Sequence, residues 1–215
     1  MDDQSSHLMN AYARQPVYFT HGKGARLWDT YGREYLDAIA GVAVTNLGHS
    51  HPEITAAIAD QAGRLMHTSN LFGIEWQDSL GSRLCAISGM RRAFFCNSGA
   101  EANETALKLA RLHATRRGEA QPVVLVMENS FHGRTLATLA ATGNPSVHRG
   151  FEPLMPGFMR VPYADIDAVR ALASQLPNIV AVLVEAVQGE SGVRIAPTHY
   201  MRALRVLCTT NDWLF

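Results

Sequence analysis

The sequence predicts an α/β fold built on a mostly parallel sheet, with a small α+β lobe ahead of it. Three observations carry this. From Arg92 onward short apolar runs alternate with helical patterns, as in a sheet wound with crossover helices. Pro122–Met127 and Ile179–Val184 are apolar throughout, which suits strands buried on both faces. Before Arg92 the pattern is of short extended pieces joined by glycine turns. The expected division is 1–75 for the N-terminal segment and small lobe, and 76–215 for the first part of a larger domain.

In chain order, residues 1–15 read as a polar tail with room for one helical turn. Val17–Phe19 and Ala25–Trp28 suggest a hairpin around Gly22-Lys23-Gly24, and Glu34–Ile39 a further extended run. Gly41–Leu47 is apolar and irregular. Pro52 suits a first helical position, and a helix to about His67 follows, with Ile54, Ile58 and Leu65 on one face. Trp76, Leu80, Leu84 and Ile87 mark another helix, ended by Gly89.

Ala93–Cys96 reads as a short buried strand, and Ala102–Arg116, rich in Ala and Leu without a breaker, as a helix. Arg134–Ala141 is a short helix stopped by Gly143, and residues 144–162 form a long proline-bearing connection. Asp165 caps a helix carrying Val169, Leu172 and Leu176. Thr198 starts a helix through Leu207, and Trp213-Leu214-Phe215 opens one more strand.

Composition excludes several classes. Lys plus Arg balance Asp plus Glu at 19 each, so charge gives no reason to expect nucleic acid or an anionic membrane as partner. Three widely spaced cysteines argue against a disulfide framework or a CxxC zinc site, and fit a reducing cytosol. The polar, acidic start is no signal peptide, and no apolar run approaches the roughly 20 residues that span a bilayer. Gly22-x-Gly24 lacks the third glycine of a dinucleotide fingerprint. His49-x-His51 could pair on a metal, but no clustered Cys, Asp or further His completes a site nearby, so no metal is expected.

Cys96-Asn97-Ser98-Gly99-Ala100-Glu101 joins the expected strand to the expected helix. Such a turn aims free backbone N–H groups and the positive end of a helix dipole at one point, which suits a dianionic phosphate. Ser98-x-x-Glu101 is equally the pattern of a capping box. Two further strand ends carry suggestive residues. Phe131 and His132 offer flat faces to a planar ring. Arg134 stands at a helix start, where a cation opposes the dipole and favours an anionic partner such as a carboxylate. Glu185 and Glu190 flank a Gln188-Gly189 turn.

Cys96–Glu104, Phe131-His132-Gly133-Arg134-Thr135, Val184–Glu190, Gly48-His49-Ser50-His51-Pro52 and Leu27-Trp28-Asp29 together resemble the class III pyridoxal-phosphate aminotransferases, and among them the acetylornithine aminotransferases. The resemblance runs from about Met9 to Phe215. It implies an incomplete fold-type-I domain with pyridoxal 5'-phosphate as cofactor. It further implies Ser98, Gly99 and Ala100 on the phosphate, Phe131 stacked on the pyridine ring and His132 beside it. Arg134 would bind the substrate carboxylate, and Glu190 would lie on the substrate side, managing a second substrate charge. Ala186 departs from the proline usual there.

The implied reaction is transamination of N-acetylornithine with 2-oxoglutarate in arginine biosynthesis, by a cytoplasmic homodimer acting on a small amino donor and a 2-oxo acid. Val42 lies where ornithine aminotransferases, by resemblance, carry a tyrosine, which leans toward an N-acylated substrate. The family's lysine that tethers the cofactor and the aspartate that pairs with the ring nitrogen fall outside the 215 residues. The sequence therefore reads as the N-terminal half of an enzyme, inactive by itself. The alternative is a non-catalytic truncated or split product acting only through association with a partner.

Overall fold

The computed structural model describes residues 7–215, so the first six residues of the expected polar tail lie outside it. From His7 to Gln15 no helix forms. The chain divides after Asp78 into two units.

In the first unit β1 (Phe19–Lys23), β2 (Arg26–Asp29) and β3 (Glu34–Leu36) form an antiparallel meander. The hairpin turns one step later than expected. Lys23 pairs with Arg26, leaving Gly24, at φ +58°, as the first of two turn residues, where glycine suits a tight hairpin. Gly22 therefore lies in the strand. A Cβ there would meet the His49 side chain at 2.7 Å, and His49 bridges to Gly24 through both of its backbone groups. These glycines thus serve close backbone approach between hairpin and loop. His49 Nε2 lies 2.6 Å from Asp37 Oδ2, and among the described residues no cluster suits a metal ion.

Asp29 ties the meander together. It is buried, and its carboxylate accepts from Tyr31 N, Arg33 N, Arg33 Nε and the Tyr35 hydroxyl. Burial alone would raise its pKa, but these hydrogen bonds outweigh burial and hold it at about 2. A left-handed turn, α1 (Ala40–Ala43), precedes α2 (Pro52–Arg64), which starts on Pro52 as expected and ends three residues before His67.

α3 (Glu75–Ser88) ends at Gly89, whose φ is +72° and whose N–H bonds back to Cys85 O. The apolar stripes that mark α2 and α3 are largely exposed, Ile58 at 63 % and Ile87 at 83 %.

The second unit holds a parallel sheet in the order β5-β4-β6, from β4 (Val123–Met127), β5 (Phe158–Val161) and β6 (Ile179–Leu183). Leu214 bridges in parallel to Ala181 on the outer side of β6, the strand opening expected at the chain's end. Alternation along β4 splits the core. Leu125 and Met127 pack with Val169 of α6 (Ile166–Gln175) and with Tyr200, Leu204 and Cys208 of α7 (Thr198–Thr210). Val124 and Val126 pack with Leu107, Ala110 and Ala114 of α4 (Gly99–Arg116) and Ala137 and Ala141 of α5 (Leu136–Ala141). Helices on both faces explain why these strands are apolar throughout. Asp165 caps α6 by accepting from Asp167 N and Ala168 N. All three cysteines are free thiols.

Two elements differ from expectation. Ala93–Cys96 is not a strand: no described strand pairs with it, and Phe94 is 68 % exposed. Strand identity needs a hydrogen-bonding neighbour, which an apolar run cannot supply by itself. Conversely β5 forms inside the expected connection, and β7 (Val187–Gln188) with β8 (Arg194–Ile195) makes a small hairpin across the Gly189–Gly192 turn. Among the described residues no helix is long and apolar enough to cross a membrane.

Candidate active site

The site is built by three connections, two of which leave the carboxyl ends of β4 and β6. The first is the N-terminus of α4. Ser98, in extended backbone, caps the helix by accepting the Glu101 N–H at 3.2 Å, while Glu101 Oε2 reaches back to Asn97 N at 2.6 Å. The Ser98 half of the expected capping box is therefore realised, while the Glu101 carboxylate takes the N–H of Asn97 instead of that of the N-cap Ser98. This cap leaves the site free rather than filling it. The N–H groups of Gly99 and Ala100 stand in the first turn, where no preceding helical carbonyl reaches them, and the Ser98 hydroxyl keeps its proton to donate. A Cβ at Gly99 would meet no protein atom within 4 Å, so the space beside these amides is open.

The second connection follows β4. Ser130, Phe131 and His132 lead to Gly133, at φ +135°, and then to Arg134 and α5. Gly133 lies against α4: a Cβ on it would come within 3.0 Å of the Ala100 Cβ and 2.5 Å of Thr138 Oγ1. Asn103 Nδ2 donates to His132 O at 2.8 Å, and Glu104 takes the Thr135 hydroxyl and the Thr138 N–H. On its other side the loop is held by Thr142, whose Oγ1 accepts from His132 N at 2.9 Å. Gly143 is pressed so closely that a Cβ would fall 2.2 Å from Met127 O. Arg160 and His148 both donate to Thr142 O and so gather the end of α5.

The third connection follows β6. Glu185 Oε2 accepts the Phe131 N–H at 3.2 Å, and Gln188 Nε2 donates to Glu128 O at 2.9 Å. The structure thus brings the 98–104, 129–134 and 185–191 stretches together through side-chain to backbone bonds.

Each expected residue has a definite setting. Ser98 and Gly99 are exposed and Ala100 is half-buried. Phe131 is half-buried, with the Arg134 guanidinium 5.9 Å from its ring centroid. His132 is buried, Nε2 has no hydrogen-bond partner, and burial pushes its pKa down to about 4, so the ring is neutral at pH 7. Arg134 is exposed. Glu190 is also exposed, in the β7–β8 turn, and is near enough to act on Glu185. Glu185 has a raised pKa: burial lifts it most, the Phe131 N–H opposes that, and the Glu190 charge adds to the rise. Asn103 and Thr142 were not among the expected residues. Asn103 stood inside a quoted motif, but its partner lies 29 residues away, beyond any local signal.

The donor set suits a phosphate-bearing planar group: free amides, a hydroxyl and a helix dipole at one end, and an aromatic face and a buried unpaired ring nitrogen at the other. A separate cleft of about 890 Å³, lined by Arg111, Gln121, Gly157 and Asn178 among others, lies at the opposite, amino-terminal end of the strands and includes none of these residues.

Known proteins agree with this architecture. The chain is 52 % identical over 209 residues to an acetylornithine aminotransferase of Nitrosomonas europaea, covering 97 % of this chain and 53 % of that protein. It is 44 % identical over 213 residues to one of Methanocaldococcus jannaschii, covering 99 % and 53 %. Among solved structures, the ornithine aminotransferase of Toxoplasma gondii ME49 matches with a TM-score of 0.89 at 35 % identity, over 97 % of this chain and 50 % of that one. The N-acetylornithine aminotransferase of Stenotrophomonas maltophilia K279a matches with a TM-score of 0.78 at 35 % identity, over 94 % and 50 %. The chain spans about half the length of the relatives it matches, and its fold is the corresponding part of a fold-type-I aminotransferase. Residues 8–215 match the family model for aminotransferase class III, and the chain belongs to that class.

Proposed function

We propose that this chain supplies the phosphate turn, the ring-facing loop and the carboxylate-binding arginine of a pyridoxal-phosphate enzyme that moves an amino group between N-acetylornithine and 2-oxoglutarate. The observation that carries this is the junction of the α4 N-terminus with the loops after β4 and β6, held at His132 and Phe131, with unengaged amides at Gly99 and Ala100 in the first turn of α4. The substrate follows the names of the 44–52 % identical relatives.

Pyridoxal phosphate, when bound, supplies an aldehyde that takes up an amino group and a ring that accepts electrons from the bond being broken. Ser98, Gly99 and Ala100 hold its phosphate by three donors at a positive helix end. Phe131 packs on the ring and keeps water from that face. His132, neutral, adds no positive charge beside it. Arg134 is exposed and takes the substrate carboxylate, a bidentate partner for a guanidinium. Glu190 faces the substrate side and manages its second charge. We place neither Lys23 nor Lys108 at the family's tethering position and assign the chain no turnover by itself.

Titration of the purified chain with pyridoxal phosphate and with pyridoxal, followed by protein fluorescence, tests the site. Binding of the phosphate ester alone is expected; equal affinities would remove the phosphate turn from the argument. In the enzyme completed by the second half of its relatives' length, acetylornithine should be a far better amino donor than ornithine. Equal catalytic efficiencies would overturn the substrate assignment.

A further inference from the structure

Resting on that cofactor reading, we propose that Asn103 is a positioning residue. Its side-chain amide locks the Phe131–Arg134 loop to the phosphate helix, fixing how far the ring face and the carboxylate-binding arginine stand from the phosphate.

Asn103 lies three residues after Ala100, about one turn along α4 and on the same side of it. Asparagine is a poor helix former, because its side chain competes for nearby backbone groups. Here the amide leaves its own helix and donates to His132 O at 2.8 Å. Its role as donor is fixed by chemistry, since a carbonyl oxygen can only accept.

The loop has few other restraints toward α4. The His132 ring makes no hydrogen bond through Nε2, and the backbone N–H of His132 is turned the other way, to Thr142 Oγ1. Phe131 is held from the β6 side, by Glu185. Glu104 grips Thr135 and Thr138, beyond Arg134. Between those anchors stands Gly133, the residue most able to swing, at φ +135° and packed against Ala100. The peptide joining His132 to Gly133 presents its oxygen to Asn103, so that one bond spans the gap between the phosphate turn and the ring-facing loop.

Loss of the donor leaves the His132 carbonyl unpaired and releases the peptide at the hinge. The bonds of the phosphate turn are kept, because Ser98, Gly99 and Ala100 make no hydrogen bond to the Asn103 side chain. Removing the donor should therefore separate two affinities that share one site: pyridoxal phosphate, which needs turn and loop together, and inorganic phosphate, which needs the turn alone.

The test compares the wild-type chain with Asn103→Leu, of similar volume, and Asn103→Asp, of the same shape but accepting only. Hydrogen exchange of the ligand-free chain is read by mass spectrometry over residues 128–136, with 105–116 as the control for helix integrity. Both variants should exchange faster in 128–136 and unchanged in 105–116. Both should bind pyridoxal phosphate roughly tenfold more weakly, as expected for one lost buried hydrogen bond, while their affinity for inorganic phosphate is unchanged. Unaltered exchange in 128–136 overturns the proposal. So does an Asp variant that behaves as wild type, since shape and not the donor would then hold the loop. Equal weakening toward inorganic phosphate overturns it as well, by placing the effect in the turn. Failure of the wild-type chain to bind either ligand overturns the proposal together with the cofactor reading, and shows before any substitution is made.

Discussion

Glu185 Oε2 accepts the backbone N–H of Phe131 at 3.2 Å, tying the loop after β6 to the loop after β4. The carboxylate works against its surroundings. Burial and the nearby Glu190 charge raise its pKa, and the Phe131 N–H recovers only part of that. A carboxyl whose folded pKa is raised supports the fold while protonated and withdraws that support as pH rises through the folded value. Glu185→Gln, which keeps an acceptor for Phe131 N, is therefore expected to match wild type at about pH 4 and to exceed it in melting temperature at pH 7. Thermal unfolding of both proteins across that range checks this, and a wild type that gains on the variant as pH rises would refute it.

His132 titrates in the opposite sense. Its pKa is lowered to about 4 by burial, so the neutral ring is the folded form. Its contribution to stability is complete above the unfolded value of about 6.5 and is lost as pH falls through about 4. The full loss corresponds to roughly 3 kcal/mol. Ring proton shifts of His132 should move with a midpoint far below 6.5, and His132→Phe should flatten the acid limb of the stability curve. A midpoint near 6.5 would mean that water reaches the ring.

The legible parts of the molecule are those with local causes. Asp165 caps α6, Gly89 ends α3 and Pro52 starts α2, each through contacts a few residues long. β4 and β6 could be read because burial on both faces leaves an unbroken apolar run. Ala93–Cys96 has the same composition and no ladder, since a neighbour is a property of the tertiary fold. β5 escaped for the converse reason: it is four residues among prolines and carries Arg160, whose guanidinium serves the carbonyls of Ala140 and Thr142. The site divides in the same way. Its turn and loop residues carry short signals, whereas the bonds that assemble them, Asn103 to His132 and Glu185 to Phe131, span 29 and 54 residues.

Gly143 is a sharp test of how tightly the loop is built. A methyl group there would meet Met127 O at 2.2 Å and Asn129 N at 2.7 Å, both backbone atoms that cannot rotate away. Overpacking of this kind costs about 1–3 kcal/mol and more where backbone must move. Gly143→Ala should lower the unfolding midpoint accordingly and loosen pyridoxal phosphate binding, whereas Gly118→Ala serves as a control with open space around its Cα and a strained φ of +74°. If Gly143→Ala is no worse than the control, the close packing of the loop is wrong.

Arg134→Ala should weaken substrate recognition with little change in cofactor retention. A charge-assisted hydrogen bond is worth about 1.5–3 kcal/mol, so roughly a ten- to hundredfold loss in affinity for a carboxylate ligand is expected. Arg134 also lies over the Phe131 ring, but at 5.9 Å and exposed, where such a contact is worth about 0.5–1 kcal/mol. Titration of the cofactor-loaded protein with N-acetylornithine separates the two roles. An unaltered affinity for the carboxylate, or loss of cofactor instead, would assign Arg134 to the ring alone.

Lys108 should form no stoichiometric covalent adduct with pyridoxal phosphate. The sequence holds two lysines, and Lys108 stands on the helix that begins at the phosphate turn. At about 1.5 Å per residue, its Cα is roughly 15 Å along the axis from Ser98. Its side chain, about 6 Å long when extended, cannot span the return to a group whose phosphate sits at the helix start. Helical side chains do lean toward the N-terminus, which shortens the gap by only part of a turn. Incubation with pyridoxal phosphate, reduction by borohydride and peptide mapping should therefore show at most scattered, substoichiometric labelling at Lys108. A single stoichiometric adduct there would mean that the phosphate is not held at Ser98, Gly99 and Ala100.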